Sequence, residues 1–342
     1  MKTQRTTLGK GFALTVLGTL LACACSQQPS TSEAPTMIED PREKTRLQIV
    51  QARQMGLRKA PPQIDLLLEW FRTPASPSYE MGFGFAAPLS YHRHAAAMTA
   101  LGRLADARTL PELEAQKSRL WRSAHFRANY ARIHAELLYP APRNAQQWRE
   151  KIDAYLQAAE LTQEQLAEYF RSQPVPEIVD YGDPQPVEII AVRVLVEMAG
   201  EAYANGVREA FEVLRWVDYE RDPVSALRAG LAKTPAPQRV AWLIGQIMSR
   251  EVVRFSDHYL VQALADCGAE AVPAILEAMT RLKQREEVRY APVKMLLEAL
   301  SVIEYAEGRP SLKRLAADSN AFIAETAQYL LRYALMFRAS DW

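Results

Sequence analysis

Cysteine is scarce in this chain: three residues in 342, at Cys23, Cys25 and Cys267. So thin a supply implies neither a disulfide framework nor a Cys-based zinc site. A surplus of charge is missing as well. Lys and Arg number 41 against 40 Asp and Glu, a net charge of +1. A general nucleic-acid binder is strongly basic, so that class is disfavoured. The uncharged run from Gly11 to Ala22 has 12 residues, too few for a membrane-spanning helix, which needs roughly 20. From residue 40 onward nothing alternates convincingly with period 2, which leaves no signal for strands. Neither G-x-S-x-G nor H-E-x-x-H occurs, so no familiar nucleophile or zinc-protease motif is present.

What is there begins at the N-terminus. Lys2, Arg5 and Lys10 precede the apolar run, which ends in Leu20-Leu21-Ala22-Cys23. A positive, then apolar, then small-residue order is that of a secretory signal. With cysteine directly after Ala22, the segment resembles a bacterial lipoprotein signal. The resemblance implies cleavage before Cys23 and lipidation of Cys23. Ala24 follows the lipid site where an Asp would redirect the protein, which implies the periplasmic face of an outer membrane. Residues 26–40, SQQPSTSEAPTMIED, have the composition of a flexible tether. The expected organisation is a signal at 1–22, a lipidated tether at 23–40 and a folded domain at 41–342. Losing residues 1–22 removes three cations and no acid, leaving a net charge of about −2.

The folded part is rich in Ala, Leu, Glu, Arg and Gln, all good helix formers. Its apolar residues recur at three- and four-residue spacing, as at Leu260, Ala263, Leu264 and at Leu296, Leu297, Leu300. The expectation is an all-α fold of about a dozen helices. Pro41, Pro61 and Pro62 suit first helical positions. Thr162 with Gln165 forms a capping-box pattern opening a helix at 163–172. Asp257 is placed to cap a helix starting at His258, and Gly268 to end it. Cys267, at the end of that run, is expected as a buried thiol.

Two stretches share an offset of 37: Ala271-Val272-Pro273-Ala274-Ile275-Leu276 and Gly308-Arg309-Pro310-Ser311-Leu312-Lys313. Leu260 then falls on Leu297, Ala263 on Leu300 and Ala278 on Leu315. A period in this range marks stacked helical hairpins. Residues 263–276, and 95–106 followed by Leu110-Pro111-Glu112-Leu113, resemble HEAT repeats: a first helix, a Gly/Asp turn and a second helix near a proline. The resemblance covers 90–115 and 255–337. It implies an irregular α-solenoid of stacked hairpins whose surface binds other macromolecules, without catalytic residues or a cofactor.

Three local features stand out as candidate sites. Tyr79 to Pro88 interleaves Gly82 and Gly84 with Phe83 and Phe85 in a long connection from Thr73 to Ser90. Connections of that length are uncommon unless functional or disordered. It lacks the third glycine and the flanking strand of a phosphate loop. His92 and His94 lie on opposite sides of a helix, against the i,i+4 spacing that metal ligands want. They are expected as solvated or helix-start residues, with no metal. Lys117, Arg119, Arg122, Arg127 and Arg132 occur without an acid between Glu114 and Glu136, interleaved with Trp121, Phe126 and Tyr130. This reads either as a surface for anionic partners or as a packed aromatic stripe with basic stems lying over it. Glu177, Asp180 and Asp183, in the loop 175–186, do not fit a calcium loop.

Together these readings point to an outer-membrane lipoprotein that binds an envelope protein. Tyr79, Phe83, Phe85, Trp121, Arg122 and Arg127 are the expected partner contacts. The alternatives are a glycan-acting enzyme with Glu80 as one acid near residues 79–94, or a lipid or small-molecule binder between helices.

Overall fold

In the computed structural model the described residues are 41–72, 89–172, 186–219, 222–254, 256–284 and 288–332. They contain sixteen α-helices, three short 3₁₀ turns and no strand. In chain order the helices are α1 (Pro41–Gly56), α2 (Ile64–Arg72), α3 (Leu89–Leu104), α4 (Leu110–Leu120) and α5 (Ala124–Leu138). Next come α6 (Ala145–Ala158), α7 (Gln163–Ser172), α8 (Val187–Ala204), α9 (Ala210–Val213), α10 (Pro223–Lys233) and α11 (Arg239–Met248). The last are α12 (Asp257–Asp266), α13 (Val272–Lys283), α14 (Tyr290–Ile303), α15 (Pro310–Leu315) and α16 (Ala321–Arg332). The all-α expectation is met, with more and shorter helices than the periodicity suggested. No single described helix is long and apolar enough to cross a membrane. Cys23 and its tether, the loop carrying Tyr79, Phe83 and Phe85, and the loop with Glu177, Asp180 and Asp183 all lie outside the described residues.

Several helix boundaries follow directly from local chemistry. α1 opens on Pro41, whose missing N–H is no loss at a first helical position. The Thr162 amide donates to Gln165 Oε1 at 2.8 Å and the Gln165 amide to Thr162 Oγ1 at 3.1 Å, completing the capping box of α7. Gly268 takes a left-handed φ of +72°, which a side chain would disfavour. There α12 ends, and the chain bends by 111° into α13.

Two expected starts move. α2 begins at Ile64, beyond Pro61 and Pro62, because a residue before proline is held extended. Asp257 does not cap from outside but is the first residue of α12. Its Oδ2 accepts from the Arg254 amide at 2.7 Å and its Oδ1 faces Arg250 Nε at 2.9 Å, tying back the preceding loop.

Alternate helices pack in series: α1 on α3, α3 on α5, α5 on α8, α8 on α10, α10 on α12, α12 on α14 and α14 on α16. Small residues permit the close crossings. A Cβ on Gly56 would lie 2.8 Å from the Ala100 Cα, and one on Gly200 2.6 Å from the Ala232 Cβ. The residues paired by the 37-residue offset, Leu260 with Leu297, Ala263 with Leu300 and Ala278 with Leu315, are all buried. The units themselves are unequal: α13 has 12 residues and α15 only 6.

The buried apolar residues form three clusters. One gathers Ile49, Leu67, Phe71, Met98, Leu101 and Phe126. A second centres on Trp148, Ile152, Tyr155 and Leu195. The third holds Leu243, Leu260, Leu264, Ile275, Leu296 and Ile323. Val302 and Tyr305, late in the chain, pack against the first cluster. The Tyr305 hydroxyl also donates to Glu43 on α1. The end of α14 and the turn after it therefore meet the first part of the fold.

Candidate functional site

The basic stretch splits at residues 121–123, between α4 and α5. Ser123 caps α5 by accepting from the Phe126 amide. Along α5, Phe126, Tyr130 and His134 fall at i,i+4 spacing on one face. Arg122 sits in the turn, exposed. Phe126 stacks on Tyr130 with ring centroids 5.8 Å apart, and Tyr130 lies 4.5 Å from His134. The stack extends the other way through Phe71, 6.2 Å from Phe126, to His94, 5.0 Å from Phe71. Trp121 meets Phe126 and Tyr130 edge-on. Lys117 Nζ lies 4.5 Å above the Trp121 ring and 4.9 Å above that of Tyr130, within cation–π range.

Trp121 and Arg127 converge on the end of α6. The Trp121 indole donates to Glu160 Oε2 at 3.0 Å. The Arg127 guanidinium donates to the Ala159 carbonyl, at a short distance, and to the Glu160 carbonyl at 2.8 Å. These are carbonyls that a helix C-terminus leaves without partners. Glu160 itself holds a left-handed φ of 54°. Beside it lies a depression of about 630 Å³ lined by Arg127, Glu160, Glu164, Glu168, Tyr169 and Glu188. The surroundings of Arg127 are thus acidic. Of the five basic residues, Arg119 and Arg122 are exposed, while Arg132 is buried elsewhere.

His92 and His94 lie in the first two turns of α3, the helix-start alternative, but they are buried and not solvated. Burial pushes His94 below its ordinary value, partly opposed by the Phe71 carbonyl 2.8 Å from Nδ1. Among the described residues no group of three His, Cys, Asp or Glu is placed to hold a metal ion. Cys267 is half-buried, its thiol directed at the Ala263 carbonyl, 3.4 Å away.

A second constellation has no counterpart among the sequence candidates. It lies where the three apolar clusters meet. Glu197 on α8 accepts from three arginines. Arg103 of α3 approaches with two bonds of 2.7 and 3.2 Å, Arg132 of α5 at 3.0 Å and Arg228 of α10 at 3.3 Å. Arg132 also donates to Glu201 at 2.6 Å. Nearby, Arg53 of α1 grips Asp266 of α12 with two bonds of 2.6 and 2.8 Å, and Gln262 donates to the same carboxylate. Arg193 and Asp222 pair at 3.1 Å beside them, with Ser225 donating to Asp222 at 2.6 Å.

Six helices therefore feed one ionic junction. Burial would raise the Glu197 carboxyl, yet Arg103, Arg132 and Arg228 together hold it well below the usual range. Burial works against the Arg132 cation too, but Glu197 and Glu201 raise it above its ordinary value. Arg228 goes the other way: burial lowers it, Arg193 and Arg103 add repulsion, and Tyr259 and Glu197 only partly compensate. His125, buried in the field of Arg193, His94, His92 and Arg228, is pushed down to about 4, chiefly by desolvation.

One sequence signal could have revealed the junction. Arg193, Glu197 and Glu201 repeat at i,i+4 within VEIIAVRVLVEMAGEAYA, a helix whose one other charge is Glu188 in its first turn. Charges on the face of a helix that has no polar side must find partners inside. Comparison with protein-family models, with curated proteins and with solved structures finds no match for this chain.

Proposed function

We propose that this protein is a lipid-anchored, non-catalytic scaffold, held through Cys23 at the periplasmic face of an outer membrane, whose helical domain binds an envelope protein. The domain is read as an irregular HEAT-like stack. What supports this reading is the serial packing of α1, α3, α5, α8, α10, α12, α14 and α16. An array built by adding helices side by side offers a broad surface, and affinity on such a surface comes from a few aromatic or Arg anchors. Tyr79, Phe83 and Phe85 are the proposed aromatic anchors. Of the expected anchors at 121–127, Arg122 is the exposed one, because Trp121 and Arg127 brace the end of α6.

The test is cross-linking of the full-length lipidated protein in its native envelope, followed by mass spectrometry of protein and small-molecule fractions. A stoichiometric protein partner is expected. Replacing Tyr79, Phe83 and Phe85 together by Ala should abolish its capture with helicity unchanged, and Arg122→Glu should weaken it. Recovery of only glycan fragments or lipid would replace the scaffold reading with that of an enzyme near 79–94 or of a carrier.

A further inference from the structure

The ionic junction holds more guanidinium than carboxylate. Arg53, Arg103, Arg132 and Arg228 bond to Asp266, Glu197 and Glu201, and three of them, Arg103, Arg132 and Arg228, divide just the two carboxylates of Glu197 and Glu201. All four arginine side chains are at least nine-tenths removed from water. The adjoining Arg193–Asp222 pair is neutral as a unit and does not offset the excess. An uncompensated cation in the interior is strongly unfavourable.

The surplus can be assigned to one residue. Arg53 has Asp266 to itself among the arginines, Arg103 takes both oxygens of Glu197, and Arg132 bridges Glu197 and Glu201. Arg228 makes a single bond of 3.3 Å, the longest arginine bond in the junction, to an acceptor already shared by two other arginines. Its Nε is buried and has no hydrogen-bond partner. Its guanidinium lies 5.0 Å from the Tyr259 ring centroid. The Arg132 Nε is likewise buried without a hydrogen-bond partner. Arg132 and Arg228 bind opposite oxygens of the same Glu197 carboxylate, which joins the two guanidiniums through one acceptor. Glu201, the second acceptor of Arg132, is half-exposed, and its side chain can turn into water at little cost.

We propose that this junction is a binding site for a small anion carrying a carboxylate or phosphate group, with Arg228 as anchor, Arg132 as second cation and Glu201 as the side chain the ligand displaces. Guanidinium suits this role because its planar donors match both groups. The site does not depend on the scaffold reading.

The experiment is a thermal melt of the full-length protein in non-ionic detergent. It is titrated in separate arms with sodium phosphate and sodium citrate, with sodium chloride holding ionic strength constant. One arm should raise Tm by roughly 5 °C at a hundredfold excess over Kd, and which arm does so identifies the ligand group. Glu201→Gln, which removes one of the two carboxylates on Arg132, should lower the half-saturating concentration roughly tenfold, the size of one charged contact. Arg228→Met should remove the shift. Should that variant fail to fold, Arg228→Lys, which keeps the charge but not the planar fork, should weaken binding at least about tenfold. No response to either anion overturns the proposal, as does an Arg228 variant that responds like the parent.

Discussion

The aromatic corner at residues 114–134 and the ionic junction around Glu197 are both partly polar interiors, built on opposite principles. The corner is assembled from neighbours in the chain. Phe126, Tyr130 and His134 stack along one helix face, the Trp121 indole meets the Glu160 carboxylate, and Arg127 meets carbonyls at a helix end that needed donors anyway. No charge there is stranded far from water. The junction draws on α1, α3, α5, α8, α10 and α12, and its fully buried Arg132 is held by carboxylates 65 and 69 residues away. At the corner, electrostatics trims a structure that packing already specifies. At the junction, ion pairs occupy the place where three apolar clusters come together, and they hold only as a set.

The contrast can be broken most severely by removing the common acceptor. Glu197→Leu leaves three buried guanidiniums without their shared carboxylate, and the expected loss is about 3–5 kcal/mol, as for a broken buried pair. Urea unfolding measures it, and a loss of under about 1 kcal/mol would mean that the arginines find other partners.

Acid gives the next largest effect. His125 is folded in its neutral form with a pKa of about 4 against an ordinary 6.5. A base depressed by folding contributes fully above pH 6.5, and its contribution is lost as pH falls from 6.5 towards 4, for about 3 kcal/mol in all. Unfolding free energies at pH 7.0 and 4.5 should show this slope. His125→Gln, which cannot take a proton, should flatten it, and an unchanged slope would assign the acid sensitivity to other groups. At the corner the expected change is smallest. Trp121→Phe keeps the ring packing and removes only the bond to Glu160, for about 1 kcal/mol in urea unfolding. A loss as large as that of Glu197→Leu would make the corner an equal support of the fold.

The legible part of this structure is its local part. Helix content, the Thr162–Gln165 capping box, the Gly268 stop and the aromatic stripe of Trp121, Phe126 and Tyr130 each depend on residues within a few positions of one another. Spacing rules read such features well. Pro61 and Pro62 misled by their number, since the second proline holds the first extended. Asp257 misled because the same carboxylate can cap forward or tie back the loop before it. His92 and His94 read in the sequence as solvated or helix-start residues, but the packing of α1, α2 and α5 on α3 buries them. The junction was illegible for a stronger reason. Arg53 and Asp266 stand 213 positions apart and Arg103 and Glu197 94, so no one-dimensional spacing pairs them. Only the charged i,i+4 row of α8 hinted that its partners lay inside.

A pair of double-mutant cycles compares the two regions most directly: Arg103→Met with Glu197→Leu across the junction, and Trp121→Phe with Glu160→Ala across the corner. The expected coupling is about 2 kcal/mol or more at the junction and under about 1 kcal/mol at the corner. Equal couplings would contradict an interior held together at its centre by charge.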